Sequence, residues 1–148
     1  MRFVLALAFA TLAVSPAALA ASDKVLDAHE MAALETKAAQ ASPREQCFLY
    51  AELAHSMAQL ATQQFSAGNT AQASASLKAV QMYAAKIHMN VADDAKKLKN
   101  AEILMRHTAY QLKELMLGAS LDDRPTLEST LKQLDQVQNE MMQQVFKH

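Results

Sequence analysis

Tryptophan is absent from this chain of 148 residues, cysteine occurs once, glycine twice and proline three times, and each scarcity removes a class of protein. A lone Cys47 rules out an intramolecular disulfide and a Cys-x-x-Cys-His haem attachment, so stability must come from packing. There is no Gly-rich phosphate loop, no His-Glu-x-x-His zinc helix and no nucleophile elbow. With aromatics at 5%, the core must rest on Leu, Ala and Met, which form many small contacts and no evident ligand cage. An excess of one charge is also missing: 14 Lys and Arg stand against 15 Asp and Glu, a net charge of −1. A duplex-binding protein needs a strongly basic face. The one basic cluster, Lys96, Lys97 and Lys99, follows Asp93 and Asp94 and reads as a solvated helix surface, so no nucleic acid partner is expected.

The N-terminus is the one long apolar stretch. Arg2 is the only charge before Asp23, and the run Phe3 to Val14 leads to Pro16 and the small-residue site Ala18-Leu19-Ala20. These are the three regions of a secretory signal peptide, with cleavage expected after Ala20. The alternative, an N-terminal membrane anchor, fits less well because the apolar run falls short of the ~20 residues that span a bilayer. No Cys stands just after the cleavage site to accept a lipid. The expectation is a signal peptide over 1–20 and one periplasmic or secreted domain over 21–148, with no transmembrane anchor and a size that supports a real core.

Pro and Gly then mark the helix boundaries. Ser42-Pro43-Arg44-Glu45 has the pattern of a capping box with Pro in the first turn. The helix it opens should run to about Ala67, where Gly68 closes it, and Asn69 with Gln72 caps the next in a tight hairpin. Gly118 closes a later helix. Asp122-Asp123-Arg124-Pro125 starts the last one, which runs to about Phe146. The segment from about Asp23 to Ala41 reads as a first helix.

Apolar spacing supports each boundary. In mid-chain, Ala73, Leu77, Val80, Ala84, Ile87 and Val91 continue into Leu98, Ala101, Met105, Thr108, Leu112 and Leu115, in steps of four and three interrupted only at Asp94. This is the stripe of helices crossing at shallow angles. A break near Asn90 to Asp94 gives an antiparallel bundle. Without a break, one rod from about Asn69 to Leu117 carries the second helix on its first half and the last helix on its second. The preserved register and the lack of Gly or Pro favour the unbroken or merely kinked rod. The fold class expected is all-α, four to five antiparallel helices, with one long central helix as the favoured variant. The second helix shows a small face, Cys47, Ala51, Ala54, Ala58, Ala61 and Phe65, and a larger one, Tyr50, Leu53, Met57 and Leu60, so it should be sandwiched. Cys47 on the small face reads as a buried small hydrophobe, with an intermolecular disulfide as the alternative. The last helix presents Leu127, Leu131, Leu134, Val137, Met141 and Val145.

Candidate chemistry is thin. Glu52-Leu53-Ala54-His55 has the Glu-x-x-His spacing of carboxylate-bridged di-iron bundles, but those sites need a second such pair and two further Glu. The eight Met after Met1, with His29, His55, His88 and His107, invite copper, with His88-Met89 as the best local pair. Adjacent helical residues diverge by about 100°, so other helices would have to complete a site. Met as gap filler in an Ala-rich core is the stronger reading. Ser129 and Lys132 have the Ser-x-x-Lys spacing of penicillin-recognising enzymes, without the companion motifs. The metal candidates are therefore Glu52, His55, His88 and Met89, with no catalytic residue and no cofactor expected.

Two resemblances complete the reading. Leu60 to Ala84, with Phe65, Gly68, Ala73, Leu77 and Tyr83, is similar to one tetratricopeptide-type hairpin, though no repeat near 34 residues follows. Lys97-Leu98-Lys99-Asn100-Ala101-Glu102, Arg106, Leu112 and Leu121-Asp122-Asp123-Arg124-Pro125 resemble an uncharacterised group of secreted helical proteins from environmental bacteria. That resemblance spans roughly the second, third and last helices and implies a signal peptide and helices, but no activity. The functional expectation is a non-enzymatic envelope protein that offers a helical surface to another envelope protein or to itself. The alternative is periplasmic binding of copper or iron, or metal-stress sensing, through Met and His.

Overall fold

Local caps and backbone constraints mark the helix ends. The computed structural model describes residues 24–87 and 95–146. The first helix, α1 (Ala28–Gln40), starts at a cap that the spacing rules above did not single out. Asp27 accepts from the Glu30 N–H at 2.8 Å, and Glu30 accepts from the Asp27 N–H at 3.0 Å, a complete capping box. Ser42, where the box was expected, does not make one. Its carbonyl already accepts both the Glu45 and Gln46 N–H groups at 2.9 Å, and its hydroxyl turns to the Glu45 carboxylate at 3.4 Å. Pro43 still opens α2 (Pro43–Ser66). Asn69 likewise precedes α3 (Thr70–Ala85) without a side-chain cap.

The α2–α3 turn is a Schellman closure. Gly68 takes φ 77°, its N–H returns to Phe65 O at 3.0 Å, and the Asn69 N–H reaches Gln64 O at 2.8 Å. Gly118 also ends a helix, α4 (Ala95–Gly118), but without a left-handed conformation. The next turn is organised by Ser120, whose hydroxyl donates to Asp123 at 2.6 Å just before α5 (Arg124–Val145).

The long rod is not formed. α3 stops at Ala85, where the Lys86 N–H folds back to Tyr83 O at 3.0 Å and the Ile87 N–H to Ala84 O at 3.2 Å. Asn90 to Asp94, the proposed point of continuity or kink, lies outside the described residues. α3 and α4 share no helix–helix contact among the described residues: α2 packs on both, and α5 packs on both. The four long helices therefore form a ring in the order α2, α3, α5, α4, with α3 and α4 at opposite corners. Their stripes keep one register because both face the same core, which requires no continuous helix.

Cross-links between helices fix the directions. Glu45–Lys97 at 3.5 Å and His55–Thr108 at 2.9 Å pair early with early and middle with middle, so α2 and α4 run parallel. Gln138 donating to Met105 O at 3.0 Å, with Lys113–Asp135 at 3.8 Å, makes α4 and α5 an antiparallel hairpin. α3 and α5 are tied where Gln81 donates to the Thr130 hydroxyl and Gln133 donates to Gln81 O, both at 2.8 Å. Successive helices alternate up and down, while the two contacts closed by α2 with α4 and α3 with α5 are parallel.

Burial follows the stripes. Leu77, Val80, Ala101, Met105, Leu112, Leu127, Leu134 and Met141 are fully buried, each large apolar side chain contributing about 1.5–3 kcal/mol. α2 is the sandwiched helix, touching α1, α3 and α4, and its Ala51, Ala54, Ala58 and Ala61 are all at 0% exposure. No described helix is long and apolar enough to cross a membrane.

Candidate functional site

α1 packs only on α2, and it shares no helix contact with α4 among the described residues. The strip of α2 between those two helices is therefore left as the floor of a groove. Phe48, Glu52, His55 and Gln59, spaced four, three and four residues apart, occupy that strip. Leu34 and Lys37 on α1 form one wall, and Ile103, Leu104 and His107 on α4 form the other. The central cleft encloses ≈ 860 Å³. It runs into a smaller cleft of ≈ 420 Å³ toward the start of α2, past Glu45 and Lys97, and into one of ≈ 890 Å³ toward Gln63, Tyr110 and Glu114.

Two groups on the floor are electrostatically distinctive. Thr108 is fully buried, and its hydroxyl donates to Leu104 O at 2.8 Å while lying 2.9 Å from His55 Nδ1. A hydroxyl has one hydrogen, and when it goes to the carbonyl the Thr108 oxygen is left to accept from His55 Nδ1–H. A buried threonine thereby anchors the Nδ1 edge of the His55 ring. Glu52 is half-buried, and it makes no hydrogen bond or ion pair with any described residue. Burial pushes its carboxyl above the usual glutamate range, and the Lys37 charge offsets part of that rise.

Two other acids at the groove are engaged. Glu30 accepts from Lys24 at 2.6 Å and caps α1, so its carboxyl is held below the usual range, first by the Lys24 hydrogen bond and then by the Asp27 N–H. Glu45 faces Lys97 at 3.5 Å. On the opposite side of α2, Tyr50 stacks on Tyr83 at 6.4 Å with Lys86 over both rings. Tyr83 is pushed up to about 12, mainly by burial and then by the Glu35 charge.

The structure thus brings Glu52 and His55 to one cleft, but His55 turns to Thr108 on α4 rather than to Glu52. His88 and Met89 lie outside the described residues. Among the described residues no group of three or more His, Cys, Asp or Glu is arranged to hold a metal ion. Met105 and Met141 are fully buried as core filler, while Met82 and Met142 are exposed. Cys47 is buried and free, its thiol pushed up to about 11 by desolvation, so an intermolecular disulfide would require local unfolding. Ser129 and Lys132 are exposed on α5.

Leu34 and Ile103 were not picked out from the sequence, and His107 stood there only among the histidines that invite copper. The available signal was Ile103 and Leu104, apolar residues flanking the core line of Ala101, Met105 and Thr108. No family model, no curated protein and no solved structure matches this chain.

Proposed function

We propose that this protein is an exported, non-enzymatic envelope component that uses the α1–α2–α4 groove to hold a partner helix. The carrying observation is a groove continuous along α2 from Glu45 to Gln63, walled by two helices that do not touch, with apolar Leu34, Phe48, Ile103 and Leu104 exposed in part to it. Helices bury apolar strips against other helices, and an open strip between two supports is the geometry of helix-in-groove recognition. The signal-peptide pattern over 1–20 supports export, and the resemblance to secreted helical proteins points to the same compartment.

The test is site-specific photo-crosslinking in secreting cells, with the reactive group at Ile103 in the groove and at Gln136 on exposed α5. A discrete crosslinked species, or a crosslinked dimer, from position 103 alone supports the reading. Equal labelling at both positions, or none at 103, removes it. A copper- or iron-binding role has in its favour two imidazoles, His55 and His107, on the same cleft. Titrating each metal into the mature protein decides it, since affinity no higher than that of a His55→Ala, His107→Ala variant discards the cleft as a metal site.

A further inference from the structure

The groove also carries information about the chemistry of its occupant, an argument that rests on the docking reading above. Its floor spans Glu45 to Gln63, a length of roughly 27 Å at 1.5 Å per helical residue, so about five turns of a docked helix fit along it. The walls supply apolar contacts at Leu34, Phe48, Ile103 and Leu104. In the middle of this surface sits the Glu52 carboxylate, half-buried beside Phe48. Glu30 and Glu45 are matched to Lys24 and Lys97, while Glu52 makes no ion pair with a described residue; Lys37 contributes its field at longer range. A partly desolvated carboxylate whose only counter-charge, Lys37, acts at longer range makes an unfavourable floor for a purely apolar partner and penalises an acidic one more severely. A cation delivered with its own apolar flanks satisfies both parts of the surface at once.

We infer that the occupant is an amphipathic helix bearing one Lys or Arg within its apolar stripe, and that this cation pairs with Glu52 at the centre of the groove. The contact fixes register and selects against acidic helices, while Leu34, Phe48, Ile103 and Leu104 supply the area.

The probes are two fluorescent helical peptides of about 18 residues with a leucine stripe, matched in length to the groove, one carrying Lys and the other Glu at the stripe's midpoint. Anisotropy is read on the whole mature chain. Binding of the Lys peptide at least tenfold tighter than the Glu peptide is expected. Glu52→Gln should erase that preference, Glu52→Lys should invert it, and Ile103→Glu should weaken both peptides while circular dichroism confirms that each variant folds. Equal binding of the two peptides, with Ile103→Glu still blocking both, overturns the role of Glu52 and leaves the docking groove standing. A Lys preference that emerges only after Lys37→Ala means that the chain's own lysine neutralises Glu52, and it overturns the inference too. Failure of either peptide to bind, together with no crosslinking at position 103, defeats both this inference and the reading it rests on.

Discussion

Ala54 lies on the alanine stripe of α2, and replacing it with leucine sets two effects of similar size against each other. The substitution adds three carbons at a position with 0% exposure. Given space, burying them would stabilise the fold by about 0.8 kcal/mol each, roughly 2.4 kcal/mol in all. The structure argues that space is missing. α2 is in contact with α1, α3 and α4, and Ala51, Ala58 and Ala61 on the same stripe are equally sealed. Protein interiors have few voids larger than a water molecule. Inserted methylenes therefore push side chains off-rotamer and helices apart, a net cost of about 1–3 kcal/mol. Overpacking should win, with Ala54→Leu losing about 2 kcal/mol. Urea unfolding followed by helical circular dichroism should show the midpoint falling by roughly 1 M or more, at an m-value near 1.5 kcal/mol/M that is itself unchanged. Ala75→Leu on the exposed side of α3 is the control, expected within about 0.5 kcal/mol of wild type. A midpoint for Ala54→Leu equal to or above that of wild type would show a loosely packed α2, and close helix approach over alanine would be the wrong explanation of this core.

Further expectations concern caps, glycines and titrating groups. Gly68→Ala should cost about 1 kcal/mol through its φ of 77° alone, because nothing lies within 4 Å of an added Cβ. Gly118→Ala, with the same open space but no positive φ, should be neutral or stabilising by up to about 1 kcal/mol, and thermal melts of the pair should differ in sign. Asp27→Ala removes the side-chain half of the α1 capping box, the carboxylate that accepts the Glu30 N–H, worth about 1 kcal/mol; hydrogen exchange should quicken in α1 and stay unchanged in α5. Cys47, with its thiol near 11, should have a thiolate fraction on the order of 10⁻³ at pH 8 and react with a disulfide reagent only as fast as the protein opens. Reaction at the rate of the unfolded chain would contradict its burial.

The pH dependence of Glu52 has a definite sign. Its folded carboxyl is raised, so between the ordinary glutamate value and the raised one the native state holds more protons than the unfolded chain. Stability contributed by this group therefore falls as pH rises through that window and stays lower above it. Glu52→Gln should raise the melting temperature at pH 7 and match wild type below the ordinary glutamate range. A variant less stable than wild type at pH 7 would mean that the carboxylate is engaged in a favourable contact.

Helix positions and buried faces were legible in the chain itself, because both depend on short-range periodicity. Pro43, Gly68 and Arg124-Pro125 mark boundaries through backbone constraints that act within one turn. The stripes Ala73–Leu77–Val80–Ala84 and Ala101–Met105–Thr108–Leu112 are buried as spaced, since an apolar face must be covered whatever covers it. Caps were less legible: Asp27 and Ser42 carry similar motifs, yet only Asp27 completes the box, because the Ser42 carbonyl takes the N–H that its hydroxyl would have needed.

Tertiary structure alone decided which helices meet. A stripe states that a helix is buried but not against what, so one continuous rod and two helices at opposite corners of a ring have the same apolar pattern. The groove is legible only at that level, since it exists because α1 and α4 both choose α2 and avoid each other. Glu52 and His55 differ in kind for the same reason. Their spacing of three residues is local, but the Thr108 hydroxyl that meets one and the Lys37 charge that only partly offsets the burial of the other come from other helices.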